Sequence, residues 1–341
     1  MKLDLYCTEP HPARIGEIAR QGQAAGFAGL WVTEAAHNPY IASALAAEAA
    51  DRLVIGTDVA IAFPRSPMVT AQAAWDLAAL SGGRFILGLG TQVRAHLERR
   101  FSVPSERPAA RIREYVVALR AIFDAFARRA PLRFEGEFHR FSLLTDFFDP
   151  GPLEVPDPPI YLAGVNERLA RVTGEVADGF CVHPMNSPQY LAEVVRPSIE
   201  EGAKQAGRDA GAVAMVAPVF TIVGDPGPEL DRQREAVRLQ LAFYGSTPSY
   251  ARIFEVHDRP EMTAKLGSLL RAGDQAALTA AIDDDLLDAL SVTASWDGLA
   301  DALINRFRGV CDRIFPYTLP NLSDPEVIER WRAVATAVSA A

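Results

Sequence analysis

The stretch MVTAQAAWDLAALSGGRFILGLGTQ, Met68 to Gln92, holds one repeat unit of the fold. Its alanine-rich first half favours a helix from Met68 to Leu80, because alanine loses no side-chain entropy on coiling. Gly82-Gly83 ends that helix, and Arg84 to Leu89 is a short apolar run of strand character bounded by glycines 88 and 90. A helix that turns through glycines into a buried strand is part of a βαβ unit, the repeat that builds a parallel sheet.

The same alternation runs back to the first residues. Leu3 to Cys7 reads as a strand, about Ala13 to Ala25 as a helix ended by Gly26, and Gly29 to Thr33 as a second strand. A helix over Ala42 to Ala50 and a third strand over Leu53 to Ile61 complete the units before Met68. Forward of Gln92 the regularity breaks. Arg107 to Arg129 reads as a long amphipathic helix, and Phe134 to Phe148, with prolines 150, 152, 156, 158 and 159 behind it, is too aromatic for a solvated linker. The pattern resumes with Ile160 to Ala163, a helix over Glu167 to Ala177, Gly179 to Val182, a helix over Pro188 to Ala206, and Val213 to Val223. A mostly helical insertion occupies about 224–290. Ser295 can cap a helix from Trp296 to Arg308, Gly309 can end it, and Asp312 to Tyr317 supplies an eighth strand. Eight strands in short units favour a (β/α)8 TIM barrel over an open sheet, with insertions after strands 4 and 7 and one domain across 1–341.

Composition narrows the partners. The 341 residues carry 34 Lys and Arg against 43 Asp and Glu, a net charge of −9 that argues against nucleic acid or an anionic membrane as the main partner. Three scattered cysteines, 7, 181 and 311, fit a reducing cytoplasm rather than a disulfide framework or a zinc ribbon. Asp4 sits where a signal peptide needs apolar residues, and no apolar run reaches the ~18 residues of a membrane span.

In a barrel of this kind chemistry sits at the C-terminal strand ends. Glycines 88 and 90 remove Cβ atoms where strand four ends, and Thr91 and Gln92 add amide and side-chain polarity, so Gly90-Thr91-Gln92 suits a planar cofactor; a plain turn explains the same residues. Ala163-Gly164-Val165-Asn166 precedes a helix whose N-terminal dipole favours an anion such as phosphate, or Asn166 serves only as its cap. Glu34 and His37, three apart past strand two, are candidates for acid-base work or for surface hydrogen bonding, with His183 able to join them from strand six. The same residues could serve as metal ligands, a weaker reading because strand one carries none of the histidines that metal-dependent barrel hydrolases usually place there. Cys7 and Cys181 suit buried packing more than catalysis. The basic run of arginines 94, 99, 100, 107, 111 and 113 suits a charged cofactor tail or a solvated helix face.

At these residues the chain resembles the luciferase-like monooxygenase superfamily, in its branch of oxidoreductases that use the 5-deazaflavin coenzyme F420. The matching segments are Gly26-Phe27 with Leu30-Trp31-Val32-Thr33-Glu34, Gly56-Thr57 with Val59 to Pro67, Ser81 to Gly90, Pro159 to Asn166, and Ala177 to Phe180. The resemblance implies a usually dimeric barrel that holds the cofactor ring at its C-terminal mouth. It further implies a non-prolyl cis peptide at Asp58–Val59 behind the ring, with Gly90 to Gln92 beside it and Gly164 to Asn166 contacting phosphate. Glu34 matches an acidic position near the ring. The function expected is hydride transfer between the deazaflavin C5 and a small organic substrate, with Glu34 or His37 handling the proton. The alternatives are an FMN-dependent monooxygenase, a metal-dependent barrel hydrolase using Glu34, His37 and His183, and a non-catalytic cofactor-binding barrel.

Overall fold

The computed structural model describes residues 1–341. Its principal strands are β1 (Lys2–Leu3 and Leu5–Cys7), β2 (Gly29–Val32), β3 (Val54–Thr57 and Ala60–Ile61), β4 (Phe85–Gly90), β5 (Ile160–Gly164), β6 (Gly179–Val182), β7 (Ala214–Val223) and β8 (Arg313–Pro316). All neighbouring pairs are parallel, and the ring closes because the two parts of β1 face different partners. Lys2 and Leu3 register with Arg313 and Ile314, whereas Leu5 to Cys7 register with Leu30 to Val32. The result is the expected (β/α)8 barrel.

Helices α1 (Pro12–Ala24), α2 (Pro39–Ala49), α3 (Pro67–Leu80), α4 (Arg94–Arg99), α5 (Pro108–Phe126) and α6 (Glu167–Val176) follow the early strands. Several begin on local signals. Proline occupies the first turn of α2 and α3, where its missing N–H costs nothing, and the side chains of Asn38 and Ser66 accept backbone N–H bonds as caps.

The main apolar core lies between the strands and these helices, while inward-facing residues fill the barrel itself. Trp31, Tyr161, Ile86 and Phe315 are among that filling. Two glycines make room for it: a Cβ on Gly56 would lie 2.4 Å from the Trp31 ring, and one on Gly179 would lie 2.6 Å from Tyr161. At the N-terminal end, the fully buried Asp4 accepts from Arg313 Nε at 2.6 Å, Arg313 Nη2 at 2.8 Å and Trp31 Nε1 at 2.7 Å. That end is plugged, so a ligand has only the C-terminal mouth.

Four local expectations change. The third strand is divided at Asp58–Val59, which is a cis peptide. The excursion after β4 contains α4 and a small antiparallel hairpin of Phe134–Glu135 and Arg140–Phe141, pinned where the Glu114 carboxylate accepts the N–H groups of Glu137, Phe138 and His139. The region read as a helix cap near Ser295 is preceded by an extra strand, Ser291–Ala294, parallel to Phe220–Val223. It forms because β7 outruns β8, which pairs only with Val216 to Val219, and the remaining backbone groups need partners. The helix that follows spans Leu299–Phe307, not Trp296 to Arg308; the Gly298 N–H donates to Ser295 Oγ in the turn before it. A last helix, Pro325–Ala340, packs Trp331 against Phe27 at 5.6 Å.

Candidate active site

A cavity of about 450 Å³ opens at the C-terminal mouth. Every strand but β2 reaches its wall directly, and Thr33 and Glu34 extend β2 to it. Asp58, Val59, Gly90, Thr91, Gln92, Ala163, Gly164, Val165 and Asn166 all line it, as do Glu34 and His183. His37 does not; its ring stands edge-on to His11 at 4.9 Å between centroids.

The glycines of β4 are required by the neighbouring strand. A Cβ on Gly88 would meet Thr57 O at 1.8 Å, and one on Gly90 would meet Val59 Cγ2 at 2.5 Å. Thr57 Oγ1 accepts from Gly88 N at 2.9 Å and donates to Gly88 O at 2.7 Å, which locks β3 to β4 just below the cavity. Gln92 then takes a left-handed φ of 62°, turning the chain along the rim. On the opposite wall Asn166 Oδ1 accepts from Leu169 N at 3.1 Å, capping α6, while the Val165 carbonyl accepts from Tyr190 Oη at 2.6 Å. Gly164 is needed for packing, since a Cβ there would lie 2.6 Å from that of Leu169.

Glu34 is fully engaged. Its carboxylate accepts from Arg65 Nη2 at 2.7 Å and Nη1 at 2.8 Å, and also from Ile61 N at 2.7 Å. The pair is largely desolvated, with side-chain exposures of 7% for Glu34 and 17% for Arg65. It ties the end of β3 to the loop after β2.

Asp58 lies deeper. Burial pushes its carboxyl up to about 7, and its hydrogen bond with the Cys181 thiol only partly opposes that. Burial raises the Cys181 thiol well above its ordinary value, leaving it a protonated packing residue, and Cys7 faces the outer core. His183 Nδ1 accepts from Met185 N at 3.1 Å and its Nε2 lies 2.9 Å from Tyr250 Oη. Burial lowers this imidazole to about 3, so it is neutral at physiological pH.

Glu34 and His183 therefore share the cavity while His37 stands outside it, and no three His, Cys, Asp or Glu side chains form a cluster suited to a metal ion. The basic run is mostly consumed in protein contacts: Arg94 pairs with Glu98, Arg107 with Glu137 and Arg113 with Glu175, while Arg111 donates to Pro104 O and Arg100 to Ala35 O.

Sequence reasoning missed the phenols Tyr6, Tyr250 and Tyr317, all on the cavity wall. Tyr317 carries a usable signal, since it lies two residues beyond the inward-facing Phe315. Tyr250 carries none, because it arrives from the insertion after the helix Pro228–Gly245.

No helix is long and apolar enough to cross a membrane. A protein of Mycobacterium tuberculosis without an assigned function is 43% identical over 304 residues, 89% of each chain. The 5,10-methylenetetrahydromethanopterin reductase of Methanolobus tindarius is 27% identical over 290 residues, 83% of each chain. Among solved structures, the coenzyme F420-dependent tetrahydromethanopterin reductase of Methanopyrus kandleri matches with a TM-score of 0.77, covering 99% of this chain and 98% of that one at 21% identity. The oxygenating constituent of 3,6-diketocamphane monooxygenase from Pseudomonas putida, in complex with FMN, matches with a TM-score of 0.66 over 100% and 98% at 16% identity. At those identities the superpositions show the shared barrel. The sequence profile of luciferase-like monooxygenases matches residues 3–313, from β1 to the start of β8, and the chain belongs to that family.

Proposed function

We propose that this member of an oxidoreductase family is F420-dependent and exchanges a hydride between the deazaflavin C5 and a small organic substrate. The carrying observation is the cavity at the C-terminal mouth, whose walls differ in kind: the Val59 and Gly90 to Gln92 edge on one side and the start of α6 on the other. The residues fit the group. Val59 and Gly90 to Gln92 would hold the flat ring, and Gly164 to Asn166 the phosphate, where the helix dipole favours an anion. The 27% identity to a 5,10-methylenetetrahydromethanopterin reductase across 83% of both chains, together with the coenzyme F420-dependent tetrahydromethanopterin reductase among the matching structures, supports this cofactor over FMN, which the fold also accommodates in a structure of lower TM-score.

When bound, the deazaflavin supplies the two-electron chemistry. The chain's own residues bind, orient and exclude water. The plug of Asp4, Arg313 and Trp31 closes the barrel from below. Glu34 acts as a positioning residue through Arg65, because its oxygens are taken. Asp58 is the carboxyl in the cavity able to hold a proton near neutrality.

We also read the chain as one domain, working as a homodimer in the cytoplasm. Ile41 and Val69, 55% and 54% exposed on the adjoining helices α2 and α3, support an apolar contact face. The test of the main reading is titration of purified protein with F420 and separately with FMN, followed by tryptophan quenching. Saturable binding of F420 is expected; tight binding of FMN with none of F420 overturns the assignment.

A further inference from the structure

One hydroxyl on the cavity wall, that of Tyr250, has a determined direction. His183 Nδ1 accepts the Met185 N–H, so in the neutral ring the only hydrogen sits on Nε2. That hydrogen donates to Tyr250 Oη at 2.9 Å, and the phenol's own hydrogen makes no other bond within the protein. It is left for a ligand in the cavity that Tyr250 lines.

A second phenol, Tyr317, is bonded to a neighbouring one. Gln240 Nε2 donates to Tyr244 Oη at 3.1 Å, and Tyr244 Oη lies 2.7 Å from Tyr317 Oη. Either phenol can be the donor of that bond; when Tyr244 donates, the Tyr317 hydrogen is free for the cavity. Tyr317 also lines the cavity. The two relays pack on each other: the Tyr244 ring stands 4.9 Å from His183 and 6.3 Å from Tyr250. Burial raises both terminal phenols above the ordinary tyrosine value, so they stay protonated as donors.

We propose that Tyr250 and Tyr317 form a pair of hydroxyl donors for the carbonyl oxygen of the substrate, with His183 and Tyr244 as the positioning residues behind them, and that the substrate class is a ketone or aldehyde. This rests on the hydride-transfer reading above. Two aimed donors recognise an acceptor oxygen and gain strength as negative charge collects on it. In the reductive direction a hydride from the reduced 5-deazaflavin forms the new C–H bond and the carbonyl π pair moves to oxygen. That oxygen takes the Tyr250 proton to become an alcohol. The Tyr250 phenolate, held by His183 Nε2–H, then recovers a proton from water, while the deazaflavin is oxidised by two electrons.

The test begins with cofactor-free protein labelled with ¹⁵N-histidine. His183 should remain neutral with hydrogen on Nε2 between pH 5 and 8, and hydrogen on Nδ1 would overturn the relay. A panel of small ketones and aldehydes is then titrated, by saturation-transfer NMR, into cofactor-free and oxidised F420-loaded protein. Tyr250→Phe and Tyr317→Phe should each weaken carbonyl binding up to about tenfold, as expected for one lost hydrogen bond, with F420 affinity unchanged. Matched alkenes should bind wild type and variants alike. His183→Gln, whose amide N–H can replace Nε2–H, should retain carbonyl binding that His183→Ala loses, giving a second route should a phenylalanine variant misfold. No binding by any carbonyl compound, or equal binding by the phenylalanine variants, overturns the donor pair. Failure of F420 to bind overturns the cofactor assignment alone, because the tautomer and the carbonyl titration are also read without it.

Discussion

Asp58 and His183 share one cavity and are displaced in opposite directions by the same cause: burial holds the carboxyl protonated up to about pH 7 and the imidazole neutral down to about pH 3. Each keeps its uncharged form because the barrel mouth solvates charge poorly.

That opposition predicts a compensated pH dependence. Between about pH 4 and 7 native Asp58 carries a proton that the unfolded chain has lost, so its contribution declines as pH rises through this window, by up to ~4 kcal/mol. Native His183 lacks a proton that the unfolded chain gains below about 6.5, so its contribution declines as pH falls from there toward 3. From pH 4.5 to 6.5 the two slopes cancel. In urea unfolding across that range, Asp58→Asn should add about one proton to the slope, with stability rising with pH, and His183→Gln should add about one proton of opposite sign. Parallel profiles for wild type and Asp58→Asn would contradict this.

The Glu34 and Arg65 pair should behave as a buried clamp. Glu34→Gln leaves the guanidinium without its counter-charge and is expected to cost ~3–5 kcal/mol, whereas Glu34→Leu with Arg65→Met should recover much of the loss. Chemical denaturation of the two variants checks it. A cost under 1 kcal/mol for Glu34→Gln would mean the pair is solvated.

Gly88→Ala is expected to be among the most damaging single substitutions. The new methyl would sit 1.8 Å from the Thr57 carbonyl oxygen, a backbone atom held by its own strand. Separation of β3 from β4 should show as loss of soluble protein or a fall in the melting temperature of more than 10 °C, while Gly207→Ala, with open space around it and a positive φ of 66°, should cost only about 1 kcal/mol.

Charging the apolar face of α2 and α3 tests the proposed dimer. Ile41→Asp with Val69→Asp should convert the protein to monomers in size-exclusion chromatography with light scattering, with the barrel folded by circular dichroism. A dimer unaffected by both changes would place its interface elsewhere.

By itself the sequence determined the order of strands and helices, because that order follows from local physics: alanine-rich helices, glycines at the turns, prolines in first turns, and short apolar runs. It also marked the strand ends that make the mouth, so the positions from Asp58 to Asn166 expected around a cofactor do meet on one cavity. Tertiary structure decided what each polar group there can do. Glu34 and Arg65 are 31 residues apart, and only barrel closure makes the carboxylate a clamp. His183 and Tyr250 are 67 residues apart, and only the docking of the insertion directs the phenol into the mouth. Ser291–Ala294 becomes a strand solely because the longer β7 leaves backbone groups unpaired beside it. Periodicity records which face of an element is buried, whereas proton position, charge pairing and hydrogen-bond direction depend on neighbours brought in from distant parts of the chain.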